Sequence, residues 1–181
     1  EVYVEDEGRI VMGSKGWNGG DSPRSRRARL DAVRTWWEPG FRPAGEGVST
    51  WIDEPLFLLR RVQGWIKAEL PELKLAVTEW NFGGNPTMNG ALTHALVFQA
   101  LMQEGAHAAA EWGPPGPSDP AFHAYRMFRN YDGKGRAFRG TYVPAASGSP
   151  SLTVFGALDG PGRTLRIAVV NADPDRTQEA R

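Results

Sequence analysis

Lys74-Leu75-Ala76-Val77-Thr78-Glu79 runs directly into Trp80-Asn81-Phe82-Gly83-Gly84. The first six residues read as a short buried strand ending on a carboxylate. An aromatic ring, an amide and two strand-breaking glycines follow. Upstream, Leu56, Leu59, Val62 and Trp65–Ile66 fall three or four apart, the period of a helix with one apolar face, opened by Pro55 and closed by Pro71. On that stripe Trp65 is expected in the core. Downstream, Leu92, Ala95, Phe98 and Leu101–Met102 mark a second helix over 91–104, with Gly105 as its stop. Residues 107–112 read as the next strand, made of small residues and ending on Glu111 and Trp112. Gly113-Pro114-Pro115-Gly116-Pro117 forbids regular structure, and Phe122, Tyr125, Phe128 and Tyr131 define a helix over 120–131. Helix and strand alternate, which argues for parallel strands covered by helices. The strands at 74–79 and 107–112 are expected side by side and parallel, because a parallel pair needs a crossover and 91–104 supplies it.

The pattern changes near residue 138. Thr141-Tyr142-Val143, Leu152 to Leu158 and Thr164 to Asn171 read as strands, and Asp159-Gly160-Pro161-Gly162 between two of them is a hairpin signal. This is antiparallel β structure, expected to begin a separate sandwich. Near the start, Val2-Tyr3-Val4 and Arg9 to Met12 suggest short strands, and Gly13 to Asp21 a loop. Arg24, Arg26, Arg27 and Arg29 crowd one segment. They read as the solvated start of a helix capped by Asp21 or Ser22, with Pro23 in its first turn.

Composition narrows the function. The chain has 181 residues, 40% of them apolar, enough for a real core. A net charge of zero offers no field to steer nucleic acid or a membrane. No cysteine is present, which excludes disulfide and thiolate-metal scaffolds. No apolar run approaches the roughly 18–20 residues of a membrane span. Seven Trp and 22 Gly suit a carbohydrate-handling protein. His94, His107 and His123 lack ligand spacing, and no dinucleotide fingerprint, phosphate loop or serine elbow occurs, so neither metal nor cofactor is expected. The sequence begins on Glu1 and stops at Arg181 soon after the apolar run 165–170. Both ends are expected to be cut from a longer chain, and an opened sheet would leave the piece prone to aggregate.

A carboxylate at the C-terminal lip of a strand, beside polar and aromatic groups, suits sugar chemistry in an α/β barrel. Glu79 is therefore the catalytic candidate, against the plainer roles of helix cap or ion-pair partner. Thr78 to Gly84 resembles the nucleophile strand of glycoside hydrolase family 44, which comprises endoglucanases and xyloglucanases. Three further stretches carry the resemblance in order. Arg34-Thr35-Trp36-Trp37-Glu38-Pro39 is similar to the family's Arg-x-x-Trp-Asp-Pro. Ser49-Thr50-Trp51-Ile52 is similar to its Ser-Trp-Ile with one residue inserted, and Phe128 to Gly133 to its helix leaving the barrel. The chain departs from the family at Thr87-Met88-Asn89-Gly90, where His-x-Ser-Gly is expected.

The resemblance implies an α/β fold: the C-terminal part of a (β/α)8 barrel over 1–137, then the start of a β-sandwich over 138–181. It implies a retaining mechanism with Glu79 as nucleophile. Retention needs two carboxyl groups about 5–5.5 Å apart. The family's acid/base residue lies in an Asn-Glu-Pro motif, which this chain lacks and which is expected upstream of residue 1. Glu111 reads as a structural group or a sugar hydroxyl contact rather than that acid. Trp51 and Trp112 match positions where the family stacks sugar rings, against the simpler role of core packing. Trp80 and Asn81 are the other candidate substrate contacts, Asn81 also as a residue orienting Glu79 or capping the next turn. One of Trp36 and Trp37 is expected buried and the other at the cleft. The implied partner is a β-glucan polysaccharide or oligosaccharide, handled by a secreted, monomeric parent enzyme without nucleic acid or membrane. Two other readings stand beside it: another barrel glycosidase acting on xylan or galactan, and a non-catalytic carbohydrate-binding remnant.

Overall fold

Residues 2–4, 10–12, 21–43, 52–160, 163–173 and 175–179 are described by the computed structural model. Strands β1 (Val2–Val4) and β2 (Ile10–Met12) pair antiparallel. The glycine-rich stretch 13–20 and Trp51 lie outside the described residues.

Helix α1 (Pro23–Ala32) starts where the cap signals place it, with the Ser25 amide donating to Ser22 Oγ at 3.1 Å and proline in the first turn. A 3-10 turn, Val33–Trp36, continues it. The arginine run is only partly the solvated surface expected from sequence. Arg29 is fully buried, because it shares a helix face with Ser25, Ala32 and Val33, which turn inward with it.

Helix α2 (Leu58–Glu69) uses half of its apolar stripe. Leu59 is buried, and Val62 and Ile66 pack on the core. Trp65 is not a core residue: it is 61% exposed, on the edge of the stripe next to exposed Leu58. The helical period locates an apolar side chain on a face but does not say how much of that face a neighbour covers.

Strand β3 (Ala76–Trp80), helix α3 (Met88–Gln103), strand β4 (Ala108–Glu111) and helix α4 (Pro120–Asn130) follow in order. Thr87 caps α3 by accepting from the Gly90 amide at 3.0 Å. The helix ends on Gly105, at φ +67°, with the Ala106 amide reaching back to the Leu101 carbonyl at 2.9 Å. β3 and β4 are parallel neighbours, as the crossover required. The last strands, β5 (Thr141–Pro144), β6 (Leu152–Asp159) and β7 (Thr164–Asn171), form an antiparallel sheet in that order, and the hairpin between β6 and β7 turns on Gly160.

The helices and this antiparallel sheet share one core. Phe98, Phe128, Phe138 and Phe155 form a ladder of rings with centroids 4.8, 5.2 and 5.4 Å apart, running from α3 through α4 into β6. Phe138 and Phe155 are buried and contribute about 1.5–3 kcal/mol each, with Phe98 and Phe128 partly buried against them, so the ladder binds the two parts firmly. The outer side of β7 is different: Leu165, Ile167 and Val169 are exposed.

Candidate active site

β3 and β4 pair in step through Val77 and Ala109. From there β3 takes three residues to reach Trp80 while β4 takes two to reach Glu111, which places a bulge over Thr78–Glu79. Before the bulge the strand alternates, with Leu75 and Val77 on the core and Ala76 and Thr78 away from it. Unbroken alternation would send Glu79 inward after Val77, at the desolvation cost of a buried carboxylate. The bulge reverses the phase. Trp80 turns into the core, and Thr78 and Glu79 are both exposed. The Glu79 carboxylate has no hydrogen bond or ion pair among the described residues.

The ends of the two strands are tied together. Trp112 N–H donates to the Trp80 carbonyl at 2.9 Å, and Asn81 Nδ2 donates to the Trp112 carbonyl at 2.6 Å. Asn81 Oδ1 accepts from the Gly83 amide at 2.6 Å, and Asn85 Nδ2 reaches the Gly113 carbonyl at 3.1 Å. The Trp112 side of this lip is open, the residue being 46% exposed. Glu79 and Trp112 thus lie at the same C-terminal end of neighbouring parallel strands.

Trp80 and Asn81 have other roles than the substrate contacts expected from sequence. Trp80, 2% exposed, packs against His94, Phe98 and Phe82 with ring centroids 5.3, 6.1 and 6.4 Å away. Asn81 is equally buried, and its amide is used at both ends by backbone groups. The bulge that exposes Glu79 is what buries the residue after it. Of the tryptophan pair, Trp36 is buried edge-on against Phe82 at 5.2 Å, and Trp37 is half-buried against the core.

Arg29 supports the loop from below. Its Nε donates to the Phe82 carbonyl at 3.2 Å and its guanidinium NH1 to Asn89 Oδ1 at 2.6 Å, while Asn89 Nδ2 donates to the Arg26 carbonyl at 3.1 Å. Burial pushes the Arg29 pKa down from the usual arginine range. The glycines answer to this packing. Gly84 sits at φ +76°, and a Cβ there would lie 2.9 Å from the guanidinium carbon of Arg29. A Cβ on Gly90 would overlap the Gly84 carbonyl oxygen. So Thr87 to Gly90, where the chain departs from the family pattern, caps α3, receives Arg29 and allows the loop to approach. Sequence reading missed Arg29; following the helical period through the arginine run singles it out.

Glu111 ends β4 as expected, but its carboxylate faces the helices. It is held by His94 Nε2 at 2.9 Å and by the Tyr125 hydroxyl at 2.6 Å. It has the structural role among the two that the sequence left open, and it does not share the exposed side with Glu79. Among the described residues no cluster of His, Asp or Glu is placed to hold a metal, and no helix is long and apolar enough to cross a membrane.

No family model matches the chain. It is 30% identical over 178 residues to Endoglucanase A of Paenibacillus lautus, covering 96% of this chain and 25% of that protein. Among solved structures it is similar to CelM2, a bifunctional glucanase-xylanase from a metagenome library. That match has a TM-score of 0.77 and 31% identity, and it covers 89% of this chain and 30% of the other. A xyloglucanase of Paenibacillus polymyxa from glycoside hydrolase family 44 matches with a TM-score of 0.76 and 26% identity, over 93% of this chain and 32% of the other. The chain therefore spans a quarter to a third of the length of these three proteins.

Proposed function

This chain is related in sequence and in mixed α/β fold to glycoside hydrolase family 44, and from that premise we propose that it is part of a retaining β-1,4-glucanase with Glu79 as its nucleophile. In this reading residues 1–137 belong to the last part of a (β/α)8 barrel and 138–181 to the first strands of a β-sandwich. The open side of β3 and β4 is then the barrel interior, which the remaining strands would close. The acid/base residue comes from an Asn-Glu-Pro strand elsewhere in the parent chain.

The observation that carries the proposal is the bulge at Thr78–Glu79. It turns a carboxylate that strand alternation would bury to the exposed side, at the strand end where barrel active sites lie, beside the exposed Trp112. A Glu79 carboxylate oxygen attacks the anomeric carbon as the bond to the leaving oxygen breaks, and the acid/base carboxyl gives that oxygen its proton. Water then attacks the same carbon from the opposite side, gives up a proton to the same base and frees Glu79, so configuration is retained. Trp112 offers its ring to the C–H face of a sugar, and Trp51 is the second stacking candidate. The substrate is a β-glucan, cellulose or xyloglucan in kind, and the parent enzyme acts outside the cell as a monomer.

The test uses the full-length protein. Glu79→Gln should abolish cleavage of β-glucan and spare oligosaccharide binding, since the amide keeps the shape and loses the nucleophilicity. Azide should restore turnover to Glu79→Ala and yield a glycosyl azide of inverted configuration. Near-normal cleavage by Glu79→Gln would remove Glu79 from the mechanism. A full-length protein that binds glucan and never cleaves it would favour the binding remnant.

A further inference from the structure

We propose that His94, Glu111 and Tyr125 form a buried hydrogen-bonded brace that positions Trp112 at the lip of the candidate cleft. The geometry stands by itself; its kinetic consequence rests on the glucan-cleaving reading above.

The brace joins three elements, since His94 projects from α3, Tyr125 from α4, and Glu111 closes β4. The side chains of His94 and Glu111 are 0% and 1% exposed, so bulk water does not relieve a mismatched contact. His94 Nδ1 lies 2.7 Å from the Gly90 carbonyl oxygen, which can only accept, so Nδ1 carries a hydrogen. Nε2 lies 2.9 Å from Glu111 Oε1. A bare Nε2 there would set one lone pair against another in a dry site, so a proton lies between them.

Tyr125 donates to the second carboxylate oxygen at 2.6 Å, so both Glu111 oxygens are held. Burial, together with that carboxylate, pushes the Tyr125 phenol far above its usual value, so it remains a donor. The rings of Trp80, Phe98 and Tyr125 surround His94, with centroids 5.3, 6.3 and 6.0 Å from its own. They shield the pair and fix the imidazole plane.

The link to function is covalent adjacency. Trp112 follows Glu111 directly, and its backbone is tied to Trp80 and Asn81 on the neighbouring strand. Clamping the Glu111 side chain from beneath fixes the last peptide of β4 and hence the root of the Trp112 ring. These are positioning residues, and none of them reaches the exposed side. The sequence carries the signal as His94 on the apolar face of α3 and a glutamate after three alanines, but it does not show that the two meet.

The test combines nitrogen-15 NMR of the His94 ring with kinetics on β-glucan oligosaccharides, both in the full-length protein. In the wild type Nδ1 should carry hydrogen and Nε2 should show a hydrogen bond to Glu111. In Glu111→Gln, Nε2 should accept from the new amide, and KM should lie nearer to the wild-type value than in Glu111→Ala. Glu111→Ala should raise KM roughly tenfold to a hundredfold through a misplaced Trp112, with a smaller change in kcat. A wild-type Nε2 without a hydrogen bond overturns the brace. A folded Glu111→Ala protein with unchanged KM overturns the positioning role. If Glu111→Ala does not fold, Tyr125→Phe replaces it: a raised KM with kcat kept supports the brace, and unchanged kinetics overturn it. A wild-type protein that cleaves no β-glucan tells against the proposed function and leaves the ring nitrogens to decide the brace.

Discussion

The two sides of the β3–β4 pair follow different rules. Toward the helices, Trp80, Asn81, His94 and Glu111 are buried, and each polar atom named there is met by a partner. Toward the other side, Thr78, Glu79, Ala108 and Ala110 are exposed, and the Glu79 carboxylate is unpartnered among the described residues. Both sides end in a glutamate one strand apart. The difference between Glu79 and Glu111 is therefore not residue type or place in the sequence but which way the backbone turns each carboxylate. A buried carboxylate with both oxygens bonded is a brace, and an exposed one at a strand end is available for chemistry.

The largest effect should separate the two glutamates directly. In the full-length protein, Glu79→Gln is expected to lower kcat on β-glucan by on the order of 10³-fold or more while leaving thermal stability nearly unchanged. Glu111→Gln should do neither. Equal losses in both would erase the distinction between the sides.

Next comes the support below the loop. Arg29→Ala removes the donors to Phe82 and Asn89 and leaves buried acceptors unmet. It should cost about 3–4 kcal/mol, measured by urea unfolding. A loss under about 1 kcal/mol would mean that the loop holds itself.

Gly90→Ala sets two effects against each other. Helix propensity alone favours alanine by roughly 0.8–1 kcal/mol. Overlap with the Gly84 carbonyl opposes it, and the clash is with backbone that cannot rotate away. The variant is expected to be destabilised by about 2 kcal/mol; a gain in stability would show that the loop moves freely.

A smaller effect follows from pH. The raised Tyr125 pKa is a contribution to stability that is fully present below the unfolded phenol value of 10.0. It is lost as pH rises beyond that value, because only the unfolded chain can then ionise. Unfolding midpoints should fall above pH 10 in the wild type, and Tyr125→Phe should remove part of that slope. Identical slopes would separate Tyr125 from the brace.

The smallest effect concerns the exposed surfaces. Ile167→Thr is expected to change the stability of the 181-residue chain by less than about 0.5 kcal/mol. The same chain should bind a hydrophobic dye through Trp65, Leu165, Ile167 and Val169. A chain that binds no dye would mark these residues as ordinary surface.

Much of this was legible in the sequence because it is local. The periods of α2, α3 and α4, the cap on Ser22, the stop on Gly105 and the hairpin after β6 follow from spacing and turn chemistry. The parallel pairing of 76–80 with 108–111 followed from the crossover length. The candidate site was legible as a strand end carrying Glu79 and a neighbouring end carrying Trp112. Trp65 and Arg29 were misread for one reason: burial depends on what the rest of the chain brings to a face, and a helical period names only the face.

The sequence by itself determined which segments are helix and strand, which residues lie at strand ends, and the family the chain resembles. Those follow from backbone propensity, apolar spacing and motif order, all written along the chain. Only the tertiary structure decided that one additional residue in β3 turns Glu79 outward and Trp80 inward. It alone decided that Glu111 is spent on His94 and Tyr125. The reason is that a bulge is a mismatch between two strands, and a buried hydrogen bond is a meeting of three elements. Neither is a property of any one segment.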